Sequence, residues 1–270
     1  MTSLGSPPIN SKKELVLWTK RALEYLGVRP SKKLGQSFSV DPNMLKTIAD
    51  VCCKEGEFVV EIGSGLGALT RALLLKGVEV LGIEMDERLA RFAHRVLSND
   101  SRVHIVVADA RKFLKHVQSS VVGNVPYCIT SDLIIAISKS SSPRACITVQ
   151  LEVAHRLVAR PGTKNYGRLT IITDYLFKKK LVKTFPPASF YPVPEVSSAL
   201  VFMERVREFD RTAAMLENIT KCLFTSRRKK VRKVLARCVG NCNGIPVEIL
   251  EKRVYELGLN DLLLIVRTCL

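Results

Sequence analysis

The chain has 270 residues, 47% of them hydrophobic, with 42 Lys and Arg residues against 25 Asp and Glu residues. This length and this apolar content are typical of a globular protein with a sizeable core and exclude a disordered chain. The formal net charge of +17 favours polyanionic partners, with nucleic acid first and a membrane surface second. We expect a cytoplasmic protein, because the sequence shows neither a membrane-spanning apolar run nor a signal-peptide core.

Two helical segments come first, followed by an alternation of strands and helices. Apolar residues at helical spacing predict a helix over 14–26 that ends at Gly27, and a second helix over 42–53. Short apolar runs predict strands at 58–62, 78–84, 104–109, 121–123 and 145–150. Helices are predicted between and after them, at 67–76, 86–97, 110–117, 131–139 and 151–160. The alternation indicates an α/β fold with a parallel sheet covered on both faces.

The last third of the chain changes character. A loop at 161–167 and a further helix precede two predicted strands at 180–185 and 197–205. Beyond about residue 206 only helical patterns remain. We therefore predict an α/β domain over 1–207, which includes an N-terminal helical extension over 1–31, and a small helical domain over 208–270.

The eight cysteines form neither a Cys-x-x-Cys pair nor the framework of a small secreted protein. We interpret them mainly as small buried hydrophobic residues. Cys238 and Cys242 would meet on one face of a helix, but a zinc site needs two further ligands and no histidine lies near them. We therefore predict no metal site.

A glycine-rich loop, residues 61–67, follows the first strand of the alternating region and opens a helix. Its glycines allow a ligand to approach the main chain closely. Glu84 ends the second strand, where an acid accepts hydrogen bonds from the hydroxyls of a ribose. Asp109 ends the third strand, before Ala110, where it can accept a hydrogen bond from an adenine amine. Either acid alone is better explained as the N-cap of a helix.

The fourth strand ends in Asn124-Val125-Pro126-Tyr127. Asparagine offers a neutral acceptor, proline stiffens the turn and tyrosine offers a flat apolar face. This combination suits a planar base with an exocyclic amine, whose lone pair the acceptor aims at an electrophile such as a sulfonium methyl group. Taken alone, such a tetrapeptide is more often only a turn. Together with the glycine loop and the two acids at neighbouring strand ends, it predicts an S-adenosylmethionine site.

Longer segments extend this pattern. They read KKLGQSF, EIGSGLGALT, IEMD, NVPY, QLEVAHRLVARPGTKNYGRL, SFYPVPEVSSALV and FTSRRKKVRKVL, at 32–38, 61–70, 83–86, 124–127, 150–169, 189–201 and 224–235. On these segments the chain resembles the small-subunit ribosomal RNA adenine N6,N6-dimethyltransferases of the KsgA type, from about Lys33 to the C-terminus. The resemblance implies a Rossmann-like methyltransferase domain, a helical RNA-binding C-terminal domain and S-adenosylmethionine as the methyl donor. It also implies two adjacent adenines in a loop near the 3′ end of small-subunit rRNA as the target.

The resemblance also implies roles for individual residues. The donor contacts are predicted to be Gln36, Ser37, Ser39, Glu61, Gly63, Gly65, Glu84, Met85, Asp109, Ala110 and Asn124. The catalytic set is Asn124, Pro126, Tyr127 and Phe190, with the two aromatic rings facing each other across the target base. Glu195 and Ser197 stand where the family usually has lysine and aspartate. The implied partner is the small ribosomal subunit or its precursor, with a role in ribosome biogenesis. The sequence does not indicate an oligomeric state, so we expect a monomer by default.

Two groups of basic residues are predicted to bind RNA. The first is the run Arg227, Arg228, Lys229, Lys230, Arg232 and Lys233. Apolar residues at 231, 234, 235 and 239 predict that this run lies on a helix over 227–237, with the charges on the opposite face. Such a face either tracks phosphates or is only solvated, and its density favours phosphates. The second group is Arg156, Arg160, Lys164 and Arg168.

Two other functions remain open. The first is a different amino-methyltransferase, acting on DNA adenine or on a protein glutamine, and the long match at 150–169 weighs against it. The second is a non-catalytic RNA-binding factor of the same fold, in assembly or transcription. The retained Glu61, Glu84, Asp109 and Asn124 weigh against a pure binder, because binding alone does not need them.

Overall fold

The structure is a computed structural model that describes residues 4–31 and 35–270. The first three residues of the matched segment 32–38 therefore lie outside the described residues. The α-helices are α1 (Lys12–Tyr25), α2 (Pro42–Cys52), α3 (Ala68–Leu75), α4 (Glu87–Leu97), α5 (Ala110–Phe113), α6 (Thr130–Lys139), α7 (Leu151–Leu157), α8 (Arg168–Leu176), α9 (Arg211–Leu223), α10 (Leu235–Val239), α11 (Val247–Glu251) and α12 (Leu259–Cys269). The strands are β1 (Phe38–Ser39), β2 (Phe58–Ile62), β3 (Glu79–Glu84), β4 (Val103–Val107), β5 (Ser120–Asn124), β6 (Arg144–Gln150), β7 (Phe177–Phe185), β8 (Phe190–Tyr191) and β9 (Ser198–Arg205).

Seven strands form one sheet in the order β4-β3-β2-β5-β6-β9-β7. The pairs β2–β3, β3–β4, β2–β5 and β5–β6 are parallel, as the alternating pattern predicts. The chain order reverses at β2, because β3 and β4 lie on one side of it and β5 and β6 on the other. Ligands of open α/β sheets bind outside the carboxyl ends of the strands at such a reversal. The loops that follow β2 and β5 stand at this point.

The core explains why the central strands read as continuous apolar runs. Val59 of β2 and Val121 and Val122 of β5 are fully buried, as expected for strands covered on both faces. Trp18 of α1 belongs to the same core, with its ring centre 5.7 Å from that of Phe92 in α4. The N-terminal helix is therefore packed into this core.

The chain divides into two compact units. The first contains the described residues up to 154 together with 181–203, and the second contains 155–180 and 204–270. Residues 155–180 group with the C-terminal helices because α8 packs against α9 and α12. The buried Tyr166 hydroxyl also donates to the Leu257 carbonyl oxygen at 2.8 Å. The predicted domain border at 207/208 follows chain order and does not include this earlier segment in the helical part.

The predicted helix over 227–237 is wrong. The chain instead forms short 3-10 turns at Phe224–Ser226 and Val231–Lys233 before α10 begins. Lys230 is extended, and the Val231 N–H donates to the Lys252 carbonyl oxygen at 2.9 Å. Backbone bonds to a distant segment thus replace the bonds of a helix. The apolar positions are nevertheless buried at Val231, Val234 and Leu235.

The interpretation of the cysteines as mainly small buried hydrophobic residues is also wrong. Six of them form the disulfides Cys52–Cys146, Cys222–Cys238 and Cys242–Cys269. Cys53 keeps a free thiol and is buried, whereas Cys128 is exposed. Within residues 4–31 and 35–270, no helix is both long and apolar enough to cross a membrane.

Candidate active site at the carboxyl edge of the sheet

A cavity of about 390 Å³ lies at the carboxyl ends of β2, β3, β4 and β5. Its volume falls in the range of small-molecule and cofactor sites. Its wall brings together every predicted donor contact, namely Gln36, Ser37, Ser39, Glu61, Gly63, Gly65, Glu84, Met85, Asp109, Ala110 and Asn124. Pro126 and Tyr127 line it as well. Thr19 of α1, Phe38 and Arg111 also line the cavity and were not predicted from the sequence.

The glycine loop exposes its main chain to the cavity. Gly63 and Gly65 have φ angles of 73° and 55°, in the left-handed region that favours glycine. A Cβ atom on Gly65 would lie 3.3 Å from the Phe38 ring. A side chain at this position would therefore be strained and would also crowd the cavity wall.

Glu61 is a buried acid with one oxygen satisfied and one not. Its Oε2 accepts a hydrogen bond from Thr70 Oγ1 at 2.6 Å, whereas its buried Oε1 has no partner among the described residues. Burial raises the pKa of this carboxyl to about 8, and the neighbouring Glu84 carboxyl adds to the rise. A donor group on a ligand, above all a cationic one, would satisfy the free oxygen.

The Glu84 carboxylate binds the backbone of two loops, one after β2 and one after β3. It accepts from the backbone N–H groups of Gly65, Met85 and Asp86 at 2.9, 2.8 and 2.9 Å. Burial raises the pKa of this carboxyl. Because a carboxylate has about four acceptor positions, roughly one remains for a ligand hydroxyl. The carboxylate is therefore both a structural anchor and a wall of the cavity.

Asp109 is the N-cap of α5 and also lines the cavity. It accepts from the Arg111 backbone N–H at 2.9 Å and from the Arg111 Nη2 at 2.7 Å. The Arg111 side chain holds the pKa of this carboxyl below its ordinary value. Asp109 is therefore an N-cap, as the alternative interpretation predicted. Its carboxylate is also ionised and borders the cavity.

Asn124 presents an unpaired acceptor. Its Nδ2 donates to the Ser37 carbonyl oxygen at 3.0 Å, and this bond sets the orientation of the amide because a carbonyl cannot donate. Its Oδ1 is then left buried and without a partner in the described part of the chain. The Pro126 carbonyl, in contrast, already accepts from Thr130 Oγ1 at 3.1 Å and from the Ile129 N–H at 3.3 Å, which occupies both of its acceptor positions. The side chain of Asn124, and not the neighbouring proline carbonyl, is the acceptor that is free for a substrate.

The two aromatic residues of the predicted catalytic set occupy different environments. The Tyr127 hydroxyl shares a hydrogen bond of 2.5 Å with Ser198 Oγ, and burial raises its pKa. Phe190 lies in the hydrophobic core with 1% exposure and is absent from the cavity wall. The structure therefore corrects the predicted placement of Phe190 opposite Tyr127, because the ring packs inward from β8. Its role with a target base stays a prediction.

The predicted RNA-binding residues all belong to the second unit. Arg227 donates to the carbonyl oxygens of Lys164 and Thr163 at 3.0 and 3.2 Å and so links the two basic groups. Lys230 and Arg232 both form ion pairs with Glu251 of α11. Exposed positions are occupied by Arg156, Arg160, Lys164, Arg168, Arg228, Lys229, Arg232 and Lys233.

Comparison with known proteins decides the family. Residues 28–251 match the family model described as ribosomal RNA adenine dimethylase. The chain belongs to this family. It is 34% identical over 227 residues to the probable ribosomal RNA small subunit methyltransferase A of Methanopyrus kandleri, which covers 80% of this chain and 82% of that protein. It is 33% identical, over 284 aligned positions, to the ribosomal RNA small subunit methyltransferase A of Treponema denticola, with 97% and 96% covered.

Solved structures agree with this membership. A dimethyladenosine transferase from Plasmodium falciparum is 25% identical with a TM-score of 0.72, and 84% of this chain and 95% of that chain are covered. The 23S rRNA methyltransferase ErmE is 26% identical with a TM-score of 0.66, and the covered shares are 86% and 99%. The predicted Rossmann-like methyltransferase fold of this dimethylase family member is confirmed.

Proposed function

We propose that this protein transfers methyl groups from S-adenosylmethionine to the exocyclic amines of two adjacent adenines near the 3′ end of small-subunit rRNA. The observation that carries the proposal is the unpaired, buried Oδ1 of Asn124 in the wall of the cavity. An acceptor in this position, held by the Ser37 carbonyl, suits the amine of a base. The names of the relatives from Methanopyrus kandleri and Treponema denticola support the small subunit as the source of the rRNA.

The cavity wall fits S-adenosylmethionine. The free oxygen of Asn124 needs a hydrogen-bond donor, which the target amine brings. A cationic group of the methyl donor beside Glu61 would favour the ionised carboxyl, whose free oxygen then accepts a hydrogen bond. Gly63 and Gly65 expose main chain where a side chain would block a ligand. Glu84 would bind the ribose of the methyl donor through its remaining acceptor position. When bound, this group supplies an electrophilic methyl on a sulfonium sulfur.

The residues of the chain then act by position. Asn124 Oδ1 accepts a hydrogen bond from the target amine and so turns the nitrogen lone pair toward the methyl group. The Tyr127 ring bounds the plane of the base, and its hydroxyl is anchored on Ser198. The target adenine must leave its stack, which is easier in a single-stranded loop than in a duplex. This favours a loop as the substrate.

The second unit supplies the contacts to the ribosomal subunit in this proposal. The net charge of +17 and the exposed basic residues of that unit support binding to a large RNA. We propose that the protein binds the small subunit or its precursor as a cytoplasmic monomer and takes part in subunit biogenesis.

The experiment that tests the function compares substrates. The purified protein is incubated with isotopically labelled methyl donor and unmethylated small subunits, large subunits, duplex DNA or a glutamine-containing peptide. Mass spectrometry of the products should show dimethyladenosine at two adjacent positions of small-subunit rRNA. Methylation confined to 23S rRNA, DNA or the peptide would overturn the proposal. Failure to bind the donor in calorimetry would favour a non-catalytic RNA-binding factor.

A further inference from the structure

Lys20 and Tyr191 form a pair of a cation and an aromatic ring in the first unit. The Nζ atom of Lys20 in α1 lies 5.3 Å from the centre of the Tyr191 ring in β8. Lys20 is exposed and Tyr191 is partly exposed. Among the described residues, no carboxylate lies within ion-pair distance of the Lys20 ammonium. The ammonium is therefore available to an anion from outside the protein.

The pair stands beside the cavity on two separate elements. Thr19, the residue before Lys20, is buried and lines the cavity. Phe38 also lines the cavity and is the strand partner of Tyr191. In addition, Ser37 Oγ donates to the Pro192 carbonyl oxygen at 2.8 Å. The two backbone segments that carry the pair therefore both border the cavity wall.

Of the two aromatic residues of β8, Tyr191 has the ring that is partly exposed to solvent. The ring of Phe190 is 1% exposed and lies in the core, so a base cannot contact it without rearrangement. A tyrosine ring that is partly exposed beside a free ammonium matches a nucleotide, which combines a flat base with an anionic phosphate.

We propose that Tyr191 and Lys20 form a subsite for a nucleotide that flanks the target adenine in single-stranded RNA. This proposal rests on the proposed function. In the free protein the Lys20 ammonium covers the Tyr191 ring. The interaction free energy of a base stacked on an exposed ring exceeds that of a cation over the same ring, so the base displaces the ammonium. The ammonium then pairs with the phosphate of the same nucleotide. Extrusion of the target base exposes the faces of its neighbours, and one of them stacks here.

The test measures binding of a short single-stranded oligoribonucleotide with two adjacent adenines by fluorescence anisotropy. Tyr191→Ala should weaken RNA affinity about tenfold, whereas Tyr191→Phe should stay within about twofold of the wild type. Lys20→Gln should make the slope of log affinity against log salt shallower by about 0.7. The matched controls, Tyr25→Ala and Lys13→Gln, change exposed residues of α1 and should leave affinity and slope unchanged. Donor affinity, measured by calorimetry, should be the same in all variants.

Wild-type RNA affinity in a folded Tyr191→Ala variant would overturn the subsite. An equal loss in Tyr191→Phe would also overturn it, because the hydroxyl and not the ring would then be responsible. If Tyr191→Ala fails to bind donor and has lost its fold, Tyr191→Leu replaces it, with the same expected loss of RNA affinity. The proposed function has its own test and fails if the wild type does not methylate small subunits. The two failures are distinguishable, because the subsite is tested by RNA binding without methyl transfer.

Discussion

At the scale of single residues, Asn124 differs from its neighbours because its acceptor oxygen has no partner in the described part of the chain while its amide nitrogen does. Asn124→Ala removes the acceptor and leaves the turn made by Pro126. Methyl transfer to small subunits should fall about a hundredfold or more, the scale of removing one aligned hydrogen-bond partner from a reacting group. Donor affinity in calorimetry should change much less. The control Asn43→Ala alters an exposed asparagine of α2, and near-wild-type turnover of the Asn124 variant would remove this residue from the mechanism.

Glu61 makes donor binding depend on pH. The pKa of the Glu61 carboxyl is about 8 in the folded protein, above the ordinary value of 4.5. Between these two pH values the folded carboxyl holds a proton that the carboxyl of the unfolded chain has lost. The free protein should therefore lose stability as the pH rises from about 4.5 to about 8. At pH 7 a cationic donor that binds beside this carboxyl lowers its pKa and releases up to about 0.9 proton.

Calorimetry in buffers with different ionisation enthalpies measures this proton release. Glu61→Gln keeps the shape of the side chain and removes the titration, so the release should vanish. Glu55→Gln, at an exposed position, is the matched control and should leave the release unchanged. Equal proton release in the Glu61→Gln variant would show that another group titrates.

At the scale of elements, the basic run after α9 shows what the sequence predicts and what it does not. The spacing correctly predicts the burial of Val231, Val234 and Leu235, whereas Val239, predicted on the same face, is only partly buried. It does not predict the backbone, because Lys230 bridges to Arg253 and the chain bonds to this distant segment. A local pattern contains no information about such a partner. The strands of the sheet and the glycine loop, in contrast, are specified by local residues and are confirmed.

The basic run carries a prediction that does not depend on a helix. Arg228, Lys229 and Lys233 are exposed and, within the described part of the chain, form no ion pair. Replacing all three by Gln should weaken RNA binding and make the salt slope shallower, by up to about 0.7–0.9 for each phosphate that the protein no longer neutralises. Donor affinity should stay unchanged. The measurement is RNA affinity by filter binding between about 50 and 200 mM salt.

Replacing Lys112, Lys115 and Lys139 by Gln gives a variant with the same loss of charge in the first unit. If both triple variants change the slope equally, net charge alone is responsible and the basic run is only a solvated face. An unchanged slope in the first variant would move the RNA surface to the group at Arg156, Arg160, Lys164 and Arg168.

At the scale of the whole molecule, the part of the cavity wall that follows consecutive strands was predictable from spacing, because the carboxyl ends of those strands meet at one edge. Gln36, Ser37 and Ser39 were predicted only from the family resemblance. The contribution of Thr19 in α1 to the wall could not be predicted. It depends on how the helix packs, and no spacing in the sequence indicates that packing. The same holds for the disulfides. Cys52 and Cys146 are separated by 94 residues, and only the packing of α2 beside β6 brings them together.

Each disulfide lies within one of the two units. A crosslink stabilises mainly by restricting the unfolded chain, more strongly for a longer loop. Removal of Cys52–Cys146 by paired Ala substitutions should therefore cost about 4–5 kcal/mol, and removal of Cys222–Cys238, whose cysteines are 16 residues apart, about 3 kcal/mol. Urea unfolding of oxidised protein measures both losses.

Reduction is the control that separates the crosslink from the side chains. In the presence of a strong reductant, the wild type and both paired variants should come close together in stability, because the crosslinks are then absent from all three. A gap that persists would come from the packing of the sulfur atoms. Among the described residues of the unit that contains the cavity, Cys52–Cys146 is the only disulfide. Loss of Cys222–Cys238 should consequently weaken RNA binding at elevated temperature while donor affinity is retained, and equal loss of both would show that the two units do not unfold separately.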